Sequence, residues 1–148
     1  MELFQVIRVA VYVALIFILS GICHEIGHLL ACFFLKCKFV ELKIWFIKII
    51  KENKKIIVKL CFNEKEHCSF LTNSKIKMMV VMLMGPLANL LIAALFGIAV
   101  LLLGSNLVII FGLCYNLFLT IGTLRPGAKG DGYMIYTTYK EIRSEMMK

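Results

Sequence analysis

The chain is poor in the residues that separate domains. Its 148 residues hold two prolines, Pro86 and Pro126, and no stretch rich in proline, glycine or serine. Internal repeats and low-complexity linkers are absent too, so one compact unit over 1–148 is expected, with no appended soluble domain. The six cysteines (Cys23, Cys32, Cys37, Cys61, Cys68 and Cys114) form no CxxC pair. That argues against a disulfide framework and favours free thiols on a reducing face. Cys61, His67 and Cys68 offer a weak metal reading, since their spacing matches no standard zinc pattern. Acidic residues are few, nine against seventeen basic, for a net charge of +8. Eleven of the basic residues fall between Lys36 and Lys77, in one polar connection and not in a nucleic-acid reading motif, so nucleic acid is not an expected partner. The apolar start from Leu3 lacks a basic leader and a small-residue cleavage site, and reads as a retained span.

Apolar residues are in excess, at 61% of the chain. A soluble domain of this length cannot bury so much, which points to an integral membrane protein surrounded by lipid bilayer. Hydropathy gives spans at about 3–35, 78–103 and 107–124. The first exceeds the roughly 20 residues needed to cross and must tilt or protrude. The short turn at Gly104–Asn106 makes the second and third an antiparallel hairpin. By the positive-inside rule the 36–77 loop and the basic C-terminal tail are cytoplasmic and the N-terminus is outside, with anionic lipid attracted to the loop. Within 39–62, Val40, Leu42, Ile44 and Phe46 alternate with Glu41, Lys43 and Trp45, and Ile56, Val58, Leu60 and Phe62 resume the alternation after "KENKK" (51–55). This predicts an amphipathic β-hairpin on the membrane surface, an interfacial helix being the competing reading. The expected fold class is thus an all-α polytopic membrane protein of about three transmembrane helices, with a membrane-associated β-hairpin between the first and second. The segment 123–148 is a polar motif followed by a short amphipathic helix.

Polar residues inside the spans carry the chemistry. "HEIGH" places His24 and His28 one turn apart on a helix, so both imidazoles can bind one Zn²⁺ while Glu25 reaches a water at the metal. An ionised carboxylate at mid-span costs about 2.5–3.5 kcal/mol on insertion scales, so it needs a partner or a task. A polar cluster that merely holds helices together is the plainer alternative. Zinc needs a third protein ligand, and Asp131 is the only aspartate in the chain. It stands in "LRPGAKGDGYMI" (124–135), a turn on its face, but one whose glycines and proline also allow an irregular segment to reach a metal at membrane depth. Asp131 follows Arg125, which hydropathy puts at the cytoplasmic edge. To meet the histidines, residues 123–132 must dip inward or the third span must lie deeper. In "MLMGPLANLL" (82–91), Gly85 and Pro86 interrupt the second span and Asn89 follows. Alone, these are a kink and a helix contact. At helical rise His28 lies about 12 Å below Lys36, and Gly85 lies at a similar depth below Lys77.

Together the motifs resemble those of the site-2 protease family of intramembrane zinc metalloproteases. "HEIGH" is similar to the family's HExxH, "GPLANLL" to its GPxxN span, and "TLRPGAKGDG" (123–132) to its NxxP-x4-DG element. The resemblance covers nearly the whole chain. It implies zinc held by His24, His28 and Asp131, with Glu25 as general base. It also implies that Asn89, with Thr123, binds the substrate carbonyl or the oxyanion. The 39–62 hairpin would be the family's β element, its exposed edge free to pair with an unwound substrate. The implied substrate is a membrane protein or hydrophobic precursor peptide cut near the cytoplasmic side, and the implied location is a prokaryotic cell membrane. Thr123 replaces the family's asparagine, and Asn116, two turns upstream, either compensates or is a helix contact. That departure leaves a second expectation: a catalytically silent zinc-binding accessory or immunity protein. A metal transporter is weaker, because HExxH supplies only one polar helix face.

Overall fold

The computed structural model describes residues 2–52, 55–63, 67–127 and 130–147. The three apolar runs form helices α1 (Glu2–Phe34), α2 (Lys75–Leu103) and α3 (Leu107–Leu124). Each is long and apolar enough to cross a membrane, and a helix satisfies its own backbone polar groups where no water can. Ser74 caps α2 by accepting from the Lys77 N–H, and Asn106 caps α3 by accepting from the Val108 N–H. Where the helices touch, glycine lets them approach closely. A Cβ on Gly27 would lie 2.5 Å from the Met84 carbonyl oxygen, and one on Gly112 would lie 2.5 Å from the Phe96 ring. Elsewhere the helices present leucine, isoleucine and phenylalanine outward, including Leu91, Leu101, Phe118 and Ile121.

Unequal helix lengths position the site. From the turn at Gly104–Asn106, α2 runs 29 residues and α3 only 18. The C-terminal end of α3 therefore stops level with Pro86, whose carbonyl lies 3.4 Å from the Thr120 hydroxyl. After a turn at Pro126–Gly127, helix α4 (Asp131–Met146) continues along the N-terminal part of α2. Thr138 meets Met78 there, and Lys75 pairs with Glu141 at 3.2 Å and Glu145 at 2.6 Å. Asp131 thus begins α4 at the depth where α3 ends, and this answers the problem posed by Arg125. Ala128 and Lys129 of the third motif lie outside the described residues.

The β element is larger than the hairpin expected over 39–62, and it is not an interfacial helix. Strands β1 (Lys38–Ile44), β2 (Ile47–Glu52), β3 (Lys55–Leu60) and β4 (His67–Leu71) form an antiparallel sheet in the order β3-β2-β1-β4. The fold is accordingly mostly helical with a four-stranded sheet, not all-α. The run from Val40 to Phe46 is not one strand, because Ile44 pairs with Ile47 across a two-residue turn at Trp45–Phe46. Trp45 takes a left-handed φ of 55°, a conformation that usually calls for glycine or asparagine. The buried Lys43 donates its ammonium to the Trp45 carbonyl at 2.5 Å. In "KENKK", Lys51 and Glu52 end β2 and Lys55 starts β3, while Asn53 and Lys54 lie outside the described residues. One face of the sheet is apolar, with Leu42 buried towards the helices and Ile56, Val58 and Leu60 exposed on β3.

Candidate metal centre

Helical spacing turns His24 and His28 to the same side of α1, where their Nε2 atoms stand 3.2 Å apart. Asp131, at the start of α4, brings Oδ2 to 3.0 Å from His24 Nε2 and 3.4 Å from His28 Nε2. These three residues are the group among the described residues whose donor atoms converge closely enough for a metal ion. Three ligands about 2.1 Å from one tetrahedral zinc lie about 3.4 Å from one another, so the spacing fits that ion. The hydrogen bonds behind the ligands point the same way. His28 Nδ1 lies 2.8 Å from the Val81 carbonyl and donates to it, which leaves the Nε2 lone pair of a neutral ring facing the other two acceptors. Such a convergence of lone pairs calls for a cation.

Two further features of α2 fit a metal at that point. A Cβ on Gly85 would fall 2.3 Å from His28 Nε2 and 2.8 Å from His24 Nε2. The missing side chain is therefore the space in front of the ligand atoms. Asn89 is buried, with Nδ2 placed 3.0 Å from His24 Nδ1 and Oδ1 without a partner among the described residues. A half-turn of the amide exchanges its ends. Oδ1 would then accept from Nδ1–H, the tautomer that a metal on Nε2 requires.

Glu25 is buried beside His24 and shares with it a cavity of about 720 Å³. At one end Phe17 of α1 and Tyr115 of α3 close the cavity, ring centroids 4.2 Å apart. At the other end Trp45, His67 and Cys68 line it, so the sheet edge at the cavity is β4, outside the 39–62 segment. His67 Nε2 stands 2.6 Å from Glu41 Oε1, and this hydrogen bond is the main cause that holds the Glu41 carboxyl below its ordinary range. Burial pushes the Cys68 thiol up to about 12, keeping it protonated at neutral pH. Among the described residues, Cys61, His67 and Cys68 form no ligand group.

The remaining expected residues are placed less directly. Thr123 lines the cavity, but its hydroxyl donates to the Leu119 carbonyl at 2.9 Å within its own helix. Asn116 is fully buried and donates to the Gly112 carbonyl at 2.9 Å. That bond lies within α3, and Asn116 is not among the residues that line the cavity. The hydrogen bonds of Asn89 and Thr123 thus run to His24 and within α3. Sequence reasoning missed Gly85 as the wall of the metal space, although its glycine at matching depth was a signal. It also missed the Val81 carbonyl, for which a sequence has no signal at all.

The model of the family described as Peptidase family M50 matches residues 12–147. No curated protein and no solved structure matches the chain.

Proposed function

The chain belongs to peptidase family M50, and from that membership we propose an intramembrane zinc metallopeptidase. It would hydrolyse a peptide bond of a membrane-embedded protein or hydrophobic precursor peptide, near the cytoplasmic side. Membership and three apolar helices make it a membrane metallopeptidase by kind. The observation that carries the finer reading is the meeting of His24, His28 and Asp131 within 3.0–3.4 Å, with Glu25 in the same cavity.

His24, His28 and Asp131 would hold the ion, with Val81 and Asn89 fixing the two rings. A zinc ion held there supplies Lewis-acid chemistry, polarising a carbonyl and making water acidic enough to ionise near neutral pH. Glu25 takes the proton of the attacking water and passes it to the leaving amine nitrogen. Asn89 is a positioning residue through His24, and a substrate would have to draw Thr123 from its helix for the hydroxyl to meet the oxyanion. The β4 edge offers backbone donors and acceptors to a substrate that has unwound, because a helical substrate hides its own. The end of the cavity lined by Phe17 and Tyr115 suits an apolar side chain.

The test is cleavage of a single-span substrate by the reconstituted protein, comparing wild type with Glu25→Gln and measuring zinc in both. A drop of at least about 100-fold with zinc retained is expected for loss of a general base. Equal cleavage by the two proteins would sink the mechanism. The Thr123 hydroxyl, turned into α3, favours one other reading, the silent zinc-binding accessory or immunity protein. That reading requires zinc bound by wild type and no cleavage of any membrane substrate supplied.

A further inference from the structure

A second cavity, of about 570 Å³, lies where the sheet joins the helices. Lys36 and Lys38 form one wall, Lys77 another, and Thr72, Asn73 and Ser74 run between them. No acidic side chain lines it among the described residues. Among the described residues, the ammonium groups of Lys36 and Lys38 make no ion pair. Lys77 Nζ donates to the Leu35 carbonyl at 2.9 Å, which fixes it against the end of α1 and leaves two of its three donors for a ligand. Lys36 sits at the left-handed position that closes α1, at φ 54°, with the Cys37 N–H returning to the Cys32 carbonyl at 2.9 Å. Glycine usually takes that position, so a lysine there sets a cation where the backbone turns.

The surroundings say what the anion is attached to. Leu71 belongs to the cavity and is 59% exposed, and Ile76, next to Lys77, is 68% exposed. Phe33 and Phe34, just before Lys36, are exposed by three quarters. Cations above apolar side chains, at the ends of two spanning helices, match a phosphate headgroup above its acyl chains. We propose that this cavity binds the headgroup of an anionic phospholipid. The phosphate sits among Lys36, Lys38 and Lys77, and the polar side chains of Thr72, Asn73 and Ser74 meet the headgroup hydroxyls. The proposal rests on the spanning reading of the helices and is independent of turnover at the metal centre. Both chain passages between the sheet and the helices line this cavity, so a bound lipid ties them together and steadies β4 beside the metal centre.

Native mass spectrometry of the detergent-purified protein tests this with phosphatidylglycerol and with phosphatidylcholine of the same acyl chains. Wild type should retain phosphatidylglycerol and release phosphatidylcholine. Lys36→Gln/Lys38→Gln should weaken retention by about 25-fold, at about fivefold per lysine. Lys55→Gln/Lys59→Gln removes the same charge from β3, far from the cavity, and should leave retention intact. Both lysines of the first pair are exposed, so the variant keeps its fold. Equal loss in the two double variants would overturn the proposal in favour of diffuse charge attraction. Unchanged retention in the first variant, or equal retention of the two lipids, would overturn it as well. Displacement of phosphatidylglycerol by millimolar inorganic phosphate would reassign the cavity to the free anion and overturn the lipid.

Discussion

Substituting Gly85 by alanine puts a methyl group against both ligand nitrogens, at 2.3 and 2.8 Å. Real Cβ contacts do not come so close, so the rings must turn away from Asp131. Zinc affinity is expected to fall by more than the roughly 10- to 100-fold typical of losing a supporting hydrogen bond, measured by competition with a chromophoric chelator. Unaltered affinity would place the ion elsewhere. Asn89→Ala should cost about 10- to 100-fold in the same measurement. Asn89→Asp should restore most of it, because a carboxylate also accepts from His24 Nδ1–H. Equal losses in the two variants would mean that residue 89 acts by packing alone. The candidate ligand group was legible in the sequence, since His24 and His28 are costly in an apolar run and Asp131 is the chain's one aspartate. Their supports were less so: Asn89 has the same letter whether it serves a substrate or a histidine.

Among the elements, the sheet is where sequence reasoning fell shortest. Alternation through Trp45 and Phe46 continued the pattern of a single strand, and neither aromatic residue signals a turn. The turn forms because Ile44 and Ile47 pair across it and the Lys43 ammonium meets the Trp45 carbonyl. β4 escaped notice because five residues, one of them histidine, are too short for a periodicity. Yet β4 reaches the cavity, and the Glu41–His67 contact pins it to β1. The Glu41 carboxyl is held below its ordinary range by that contact. Its contribution to stability is therefore complete above the ordinary carboxylate range, near 4, and is lost as pH falls through the lower folded value. Trp45, the chain's single tryptophan, lies in the β1–β2 turn and reports on the sheet. Thermal melts followed by its fluorescence should lose stability on acidification in wild type. Glu41→Gln should start less stable and lack that acid-dependent part. Parallel pH curves for the two proteins would refute the role of the pair.

Across the whole molecule, α1 and α4 share no other close approach among the described residues, so the histidines and Asp131 join the first helix to the last. An ion bound at a thousand times its dissociation constant stabilises the fold by about 4 kcal/mol. Chelation should accordingly lower the thermal midpoint of wild type and leave Asp131→Ala, already lower, unmoved. An equal fall in both would remove Asp131 from the ligand set. The three long helices were legible to within a few residues, because a long apolar run stands out in the sequence. The depth at which α3 ends was not, since hydropathy gives a helix's length but not its neighbour's. With 18 residues α3 is about 27 Å long, shorter than a hydrocarbon layer of about 30 Å. In a bilayer, local thinning of the leaflet beside α4 is one way to meet it. The protein would carry its own dent in the membrane, with the metal centre at the bottom and water close above it. If the chain hydrolyses peptide bonds in the membrane, vesicles of longer-chain lipids, by enlarging that mismatch, should slow the reaction without changing a contact in the site.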